Sequence, residues 1–301
     1  MGKVTRIRGD MDDVDALLEI LSVIKDVATN KFFAFAQRKA HFQKFFDSFL
    51  ELFAVMQHVE SDCPLLKNER PEVTILTIAS DQAFMSQANS RIASLAVQQY
   101  QKNPGSTISC LGGRCADRIK MLGVRDIDKI FLPAEYPDRY LLALELRSYL
   151  VDRVMSGKSG RVIIIHLWAK TFSIIKPRIL TLLPASELVR TGGGELDEEG
   201  DSVAESKGPE DKINLIMESD PNKLMKALAD IWIHSRLFEM LADILLVESA
   251  TQAQQLESAL ESLGSEKKAL VTSFRKAGRE ELNKAMREVF TSSSVSKGKR
   301  R

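Results

Sequence analysis

The chain has 301 residues, and 44% of them are hydrophobic, enough to build a sizeable core and too much for a chain disordered throughout. Its 42 Lys and Arg balance 41 Asp and Glu to a formal net charge of +1, so no global field draws it onto nucleic acid or acidic lipid. Three cysteines (Cys63, Cys110 and Cys115), no leader-like N-terminus and no apolar run near the roughly 20 residues of a membrane-crossing helix argue against an exported disulfide scaffold or an integral membrane protein.

Residues 10–59 contain neither Pro nor Gly, and apolar side chains recur at helical spacing: Leu17, Leu21, Ile24, Val27 and Ala28, then Phe35, Phe42, Phe45, Phe46, Phe49 and Phe53. The pattern predicts one long helix, with Asp10, Asp12 and Asp13 at its start complementing the helix dipole. At 1.5 Å per residue it would reach roughly 75 Å, longer than a compact small domain is wide. Eight of the chain's 14 phenylalanines fall between Phe32 and Phe53, more than one helix can expose to water. Packing against the rest of the chain is expected for most of them, with Phe32, Phe33 and Phe35 available to meet another subunit.

From Val73 the period changes to that of buried strands. Strands are predicted at 73–79 (VTILTIA), 107–111 and 161–167 (RVIIIHL), with helices at 88–101, 114–121 and 138–155 between them. A further edge strand at 172–182 would be interrupted by Pro177. Strands alternating with helices call for a small parallel or mixed sheet covered by helices. Residues 187–211 carry nine acidic side chains against two basic ones and three consecutive glycines, Gly192, Gly193 and Gly194, the composition of a mobile linker. Asp220 and Pro221 then give a strong helix start, and about 70 residues follow without another Pro. Gly264 and Gly278 allow a bend in this second long helix without requiring one.

The expected fold class is therefore α/β: two long terminal helices forming an antiparallel coiled coil, with a small Rossmann-like α/β domain inserted between them. The expected domains are an N-terminal helix over 1–62, the α/β domain over 70–186, the acidic linker over 187–212, and a C-terminal helix with a basic tail over 213–301.

Little in the sequence points to bond-making chemistry. Cys110 and Cys115 in CLGGRC have four residues between them, unlike a zinc knuckle or a thioredoxin-like pair, and read as small buried thiols flanking a Gly112–Gly113 turn. That turn could receive a phosphate at a helix N-terminus, but it lacks both the dinucleotide glycine pattern and a Gly-Lys-Ser/Thr run. His41, His58, His166 and His234 show no metal-ligand spacing, and His166, inside a buried-strand run, reads as a core residue. No catalytic, cofactor or metal residue is assigned. Lys297, Lys299, Arg300 and Arg301 read as a short solvated tail.

Several short stretches carry a family resemblance. Residues 275–290 (RKAGREELNKAMREVF) resemble the closing signature of the gamma subunits of F-type ATP synthases, with Lys276, Ala277, Leu282, Glu288 and Val289 at matching positions and Phe274 as the preceding aromatic. Glu248, Ser249 and Ala250 are similar to that family's S-E-x-A helix, and residues 25–39 (KDVATNKFFAFAQRK) are similar in placement to its basic N-terminal stretch. The sequence departs from the pattern at Gln252 and Ala253, at Gly278 and Arg279, and over residues 80–89 (SDQAFMSQAN), where only Asp81 and Asn89 remain of a glycine-rich turn.

The resemblance implies a divergent, non-catalytic central-stalk rotor. It implies a helix pair inside a ring of alpha and beta subunits, and an α/β domain resting with an epsilon subunit on a ring of c subunits, peripheral to the cytoplasmic face of the cell membrane. Its partner contacts are expected at Lys25, Arg38, Lys39, Lys276, Arg279 and Glu280. Two other readings remain open on the residues: a coiled-coil adaptor of the same shape serving another complex, and a small-molecule enzyme using the glycine turn.

Overall fold

The computed structural model describes residues 2–56, 63–134, 138–185, 195–197 and 220–298, and their side chains except at 40–56, 195–197, 221 and 291–298. Helix α1 spans Lys3–Met56 and helix α5 spans Pro221–Gly298. Between them lie β1 (Val73–Ile78), α2 (Ser86–Lys102), β2 (Thr107–Leu111), α3 (Gly113–Met121), β3 (Ile127–Phe131), α4 (Arg139–Met155), β4 (Arg161–Ala169), β5 (Ile175–Leu183) and β6 (Glu195–Asp197). The chain forms two compact units, one of residues 1–29 with 252–301 and one of residues 30–251.

In the first unit, α1 and α5 run antiparallel. Lys3 pairs with Glu280 at 3.2 Å, Asp15 with Lys267 at 2.5 Å and Lys25 with Glu257 at 3.3 Å, so residue numbers fall along α5 as they rise along α1. Helix α1 starts at Lys3, ahead of the predicted start at Asp10, and Gly9 lies inside it. The acidic cluster at 10–13 therefore does not cap the helix. Its first turns are helical because they continue a pairing with α5, which overrides the local stop that Gly9 suggests. Helix α5 begins where expected: the Asp220 carboxylate accepts the Asn222 N–H at 3.0 Å, and the helix passes Gly264 and Gly278 without a break.

The second unit is a six-stranded sheet in the order β3-β2-β1-β4-β5-β6. The pairings among β3, β2, β1 and β4 are parallel, and β5 and β6 add antiparallel. Both faces are covered, which is why β1 and β4 read as near-continuous apolar runs. On one face Val73, Ile75, Ile108, Cys110, Ile163 and Ile165 pack with Ile92 and Ala96 of α2 and Ala116 and Ile119 of α3. On the other, Leu76, Ile78, Val162, Ile164, Leu180 and Leu182 pack with Leu146 and Leu150 of α4 and Trp232, Ile233, Leu237 and Met240 of α5.

Two strands escaped the sequence reading. β3 is a half-polar edge strand whose register shifts by a bulge opposite Ile108 and Ser109. β6 lies inside the stretch read as an acidic linker, whose remaining residues, like most of the basic tail, are outside the described set. β5 spans Pro177 without interruption, because Pro177 lies outside the Arg178–Leu180 stretch that pairs with β6. Among the described residues no helix is long and apolar enough to cross a membrane.

Candidate functional site

The turn that could have received a phosphate is already filled. Gly112 has φ +100°, and a Cβ there would meet Asp81 Oδ1 at 3.1 Å and the Ala79 carbonyl at 3.3 Å, so only glycine fits. The Gly113 and Arg114 N–H groups, at the start of α3, donate to the Asp81 carboxylate at 3.1 and 3.0 Å. The helix N-terminus thus carries an anion supplied by its own chain. Cys110 and Cys115 are fully buried on either side, and burial pushes their thiols up to about 11 and about 12, which leaves them protonated and unreactive at neutral pH. Among the described residues no His, Cys, Asp and Glu cluster could hold a metal ion.

Polar groups do gather at two places in the second unit. On the α4 side of the sheet, Arg153 donates to Thr74 Oγ1 at 3.0 Å, Thr107 Oγ1 at 2.7 Å and the Asp128 carboxylate at 2.7 Å, tying α4 across three strands. The bulge in β3 admits Asp128 as the extra residue, and Tyr149 completes the network between Asp128 and Ser109. Along α5, charge is buried within the apolar stripe. Arg236 binds Glu239 at 2.6 Å, Asp243 binds Lys39 of α1 at 2.5 Å, and Glu248 accepts from Ser80 and pairs with Arg139 at 3.8 Å.

His166 of β4 faces this row as a core residue, with Nδ1 3.1 Å from the Leu167 carbonyl. Burial, together with the nearby positive charges of Arg236, Lys39 and Arg178, pushes it down to about 3. Burial also pushes the Asp243 carboxyl up to about 6 against the pull of Lys39, and raises Glu248. The sequence reading passed over Arg236, Glu239 and Asp243. Their signal was a set of charges at helical spacing among Leu237, Met240, Leu241 and Ile244, where a plain amphipathic helix would be apolar.

The six expected contact residues are not equivalent. Lys276 and Arg279 are exposed on the first unit. Lys25 and Glu280, also there, are engaged with Glu257 and Lys3. In the second unit Arg38 lies over the Phe35 ring at 5.9 Å, and Lys39 is half-buried against Asp243. Phe32 is buried with Leu246 and Ala250, Phe35 packs against the same cluster, and exposed Phe33 stacks on Phe172 at 6.3 Å. The other five phenylalanines of this stretch have side chains outside the described set.

The first unit also carries large apolar side chains that are exposed. Leu17, Ile20, Val23, Ile24 and Val27 of α1 are between 38% and 59% exposed, and Leu282, Met286, Val289 and Phe290 of α5 between 51% and 68%. Single exposed apolar residues are ordinary, but runs of them at helical spacing form patches of the kind that mark interaction surfaces.

Comparison with known proteins gives these features a setting. The family model described as ATP synthase matches residues 3–294. The chain is 23% identical to the chloroplastic ATP synthase gamma chain of Trieres chinensis, over 98% of this chain and 84% of that one. It is also 23% identical to the gamma chain of Helicobacter pylori (strain Shi470), over 73% and 71%. Among solved structures, its fold is similar to a chain of the Euglena gracilis mitochondrial ATP synthase OSCP/F1/c-ring assembly, with a TM-score of 0.58 at 12% identity over 97% and 94% of the two chains. A chain of the Tetrahymena thermophila mitochondrial ATP synthase central stalk and c-ring matches with a TM-score of 0.55 at 15% identity, over 80% and 99%. The chain belongs to the ATP synthase family, as a divergent member of its gamma-chain branch.

Proposed function

We propose that the chain is the gamma-like rotor subunit in the central stalk of an F-type proton-translocating ATP synthase, itself non-catalytic, coupling ion flow through a c-ring to conformational change at alpha and beta catalytic sites. The observation that carries this reading, beside the family match, is the exposed apolar stripe of Leu17, Ile20, Val23, Ile24 and Val27 on an antiparallel helix pair held by three cross-helix ion pairs. Such a pair offers different side chains in different directions, so surrounding catalytic subunits would meet different environments, which is coupling by differential contact.

In this reading the helix pair of the first unit is a coiled coil facing the alpha and beta subunits. The sheet unit is a Rossmann-like domain facing epsilon and the c-ring, and the whole chain is peripheral to the cytoplasmic face of the membrane. Residues 1–62, 70–186 and 213–301 serve as the N-terminal helix, the α/β domain and the C-terminal helix with tail, and residues 187–212, which add β6 to the sheet, connect the last two. Lys276 and Arg279 are the leading partner contacts because their charged ends are exposed; Arg38 joins them, and Lys25, Lys39 and Glu280 contribute after exchanging their present partners.

Coexpression with alpha and beta subunits from the same source, followed by size separation, tests the assignment. One copy of this chain with three alpha and three beta subunits supports it. A ring that forms and excludes the chain would transfer it to another complex as an adaptor.

A further inference from the structure

Residues 30–39 of α1 meet α5 along one stripe. Phe32 is buried with Leu246 and Ala250 of α5, Phe35 and Ala36 pack against the same cluster, and Lys39 binds Asp243. These positions are i, i+3, i+4 and i+7, a single line along the helix. A mostly apolar seam along one line resists separation more than it resists roll, because apolar contact has no preferred direction. Phe33 lies about 100° around the helix from Phe32, off that line. It is 59% exposed, so burial does not account for its placement. It meets Phe172, which belongs to the turn between β4 and β5. The Phe33 and Phe172 rings are stacked, 6° apart in plane with centroids at 6.3 Å, and the same Phe172 ring stands edge-on to Phe32 at 5.1 Å and 86°. The turn that carries it is itself fixed. The Lys170 N–H donates to the Ile174 carbonyl at 2.9 Å, and the Ile174 N–H donates to the Thr171 carbonyl at 3.3 Å and hydroxyl at 3.2 Å.

We propose that Phe172 is a positioning residue that sets the roll of α1: its ring, straddling Phe32 and Phe33, locks the helix to the sheet so that the two turn together. Roll of α1 in one sense carries Phe33 away from the Phe172 ring and in the other sense carries Phe32 away, so either one breaks an aromatic pair. β4 and β5 hold the ring from their last pair, Ala169 with Ile175, and so join it to the sheet. The use of this clasp rests on the rotor reading, in which a helix free to roll would absorb part of each rotary step. Its geometry does not rest on that reading.

Distances between paired spin labels on the full chain test the clasp. Cys63, Cys110 and Cys115 are buried, so labels go to cysteines placed at exposed Ala34 of α1 and exposed Gln98 of α2. The wild type should give one narrow distribution. In Phe172→Ala it should broaden by up to about 8 Å, because side-chain tips ride about 5–6 Å from a helix axis and one side-chain step of roll is about 100°. Phe172→Tyr, which keeps the ring, should restore the narrow distribution. Phe33→Ala, which removes an exposed side chain, should broaden it as Phe172→Ala does, and decides the matter if Phe172→Ala does not fold. A control pair at Gln98 and exposed Ser148 of α4 should stay narrow in every variant. An unchanged α1 distance in Phe172→Ala or Phe33→Ala, no restoration by Phe172→Tyr, or broadening of the control pair would each overturn the proposal. In a complex with alpha and beta subunits fixed to a surface, Phe172→Ala should hydrolyse ATP while a probe on the sheet rests over a wider range of angles than in the wild type; an equal range would overturn the role in rotation. A wild-type complex that hydrolyses ATP without turning would instead defeat the rotor reading, and leave the clasp to the distance measurement.

Discussion

The carboxylate of Asp81 accepts the Gly113 N–H at 3.1 Å, closing the start of α3 with an anion from the loop that follows β1. A second bond, from the Arg114 N–H at 3.0 Å, makes the cap bidentate. This arrangement removes the structural motive for reading the glycine turn as a phosphate cradle. Asp81→Ala should lower unfolding stability by about 1–2 kcal/mol, measured by urea titration, with nucleotide binding undetectable by calorimetry before and after the change. A stability unchanged by the substitution would show that the cap is energetically idle.

Arg153 is the bond donor that joins α4 to β1, β2 and β3. Arg153→Met keeps the apolar stem and leaves Asp128, Thr74 and Thr107 without their shared partner. A loss of about 1–2 kcal/mol is expected in chemical denaturation, because the Thr74 and Thr107 hydroxyls lose a buried donor while the exposed Asp128 carboxylate can turn to water. A loss within experimental error would make the network incidental to packing.

Stability should depend on pH through His166 with a defined sign. Its folded value of about 3 lies below the ordinary 6.5, so its contribution is fully present above pH 6.5 and is lost as pH falls toward 3. Between pH 7 and pH 5 this single group removes about 2 kcal/mol. Asp243 works in the opposite direction: its folded value of about 6 lies above the ordinary 3.8, so acidification from pH 6 to pH 5 relieves a penalty of about 1 kcal/mol. His166→Leu should therefore gain about 2 kcal/mol on the wild type between pH 7 and pH 5, whatever its stability at pH 7. A pH-independent difference between the two proteins would mean that His166 is not held neutral.

Much of this fold was legible because the residues that decide it are locally consistent. The apolar runs at Val73–Ile78 and Arg161–Ala169 and the Asp220–Pro221 helix start each carry their signal within a few residues. β3 was missed because only Ile127 and Phe131 of its five residues face any cover, and Asp128 sits in a bulge that breaks the alternation. The start of α1 was misplaced because contacts with α5 more than 250 residues away, such as Lys3 with Glu280, outweigh a local glycine. The buried charges Arg236, Glu239 and Asp243 were not assigned because their partners, Lys39 among them, come together only through tertiary packing.

The contact assignment can be tested one residue at a time. Arg279 is exposed, so Arg279→Ala should leave the isolated chain's melting temperature unchanged while reducing assembly with alpha and beta subunits or the ATP hydrolysis rate of the complex by several-fold. Unaltered assembly and rate would remove Arg279 from the contact set and leave the rest of the reading in place.

The most direct test of the rotor assignment is to watch the chain turn. Cys63, Cys110 and Cys115 are buried, so a cysteine placed at exposed Arg125 (Arg125→Cys) gives one accessible site for a bead or gold particle. With the alpha and beta subunits fixed to a surface and ATP supplied, the probe should rotate in one direction and stop when hydrolysis is inhibited. A probe that stays still, or only jitters, while the same complexes hydrolyse ATP would contradict the rotor function.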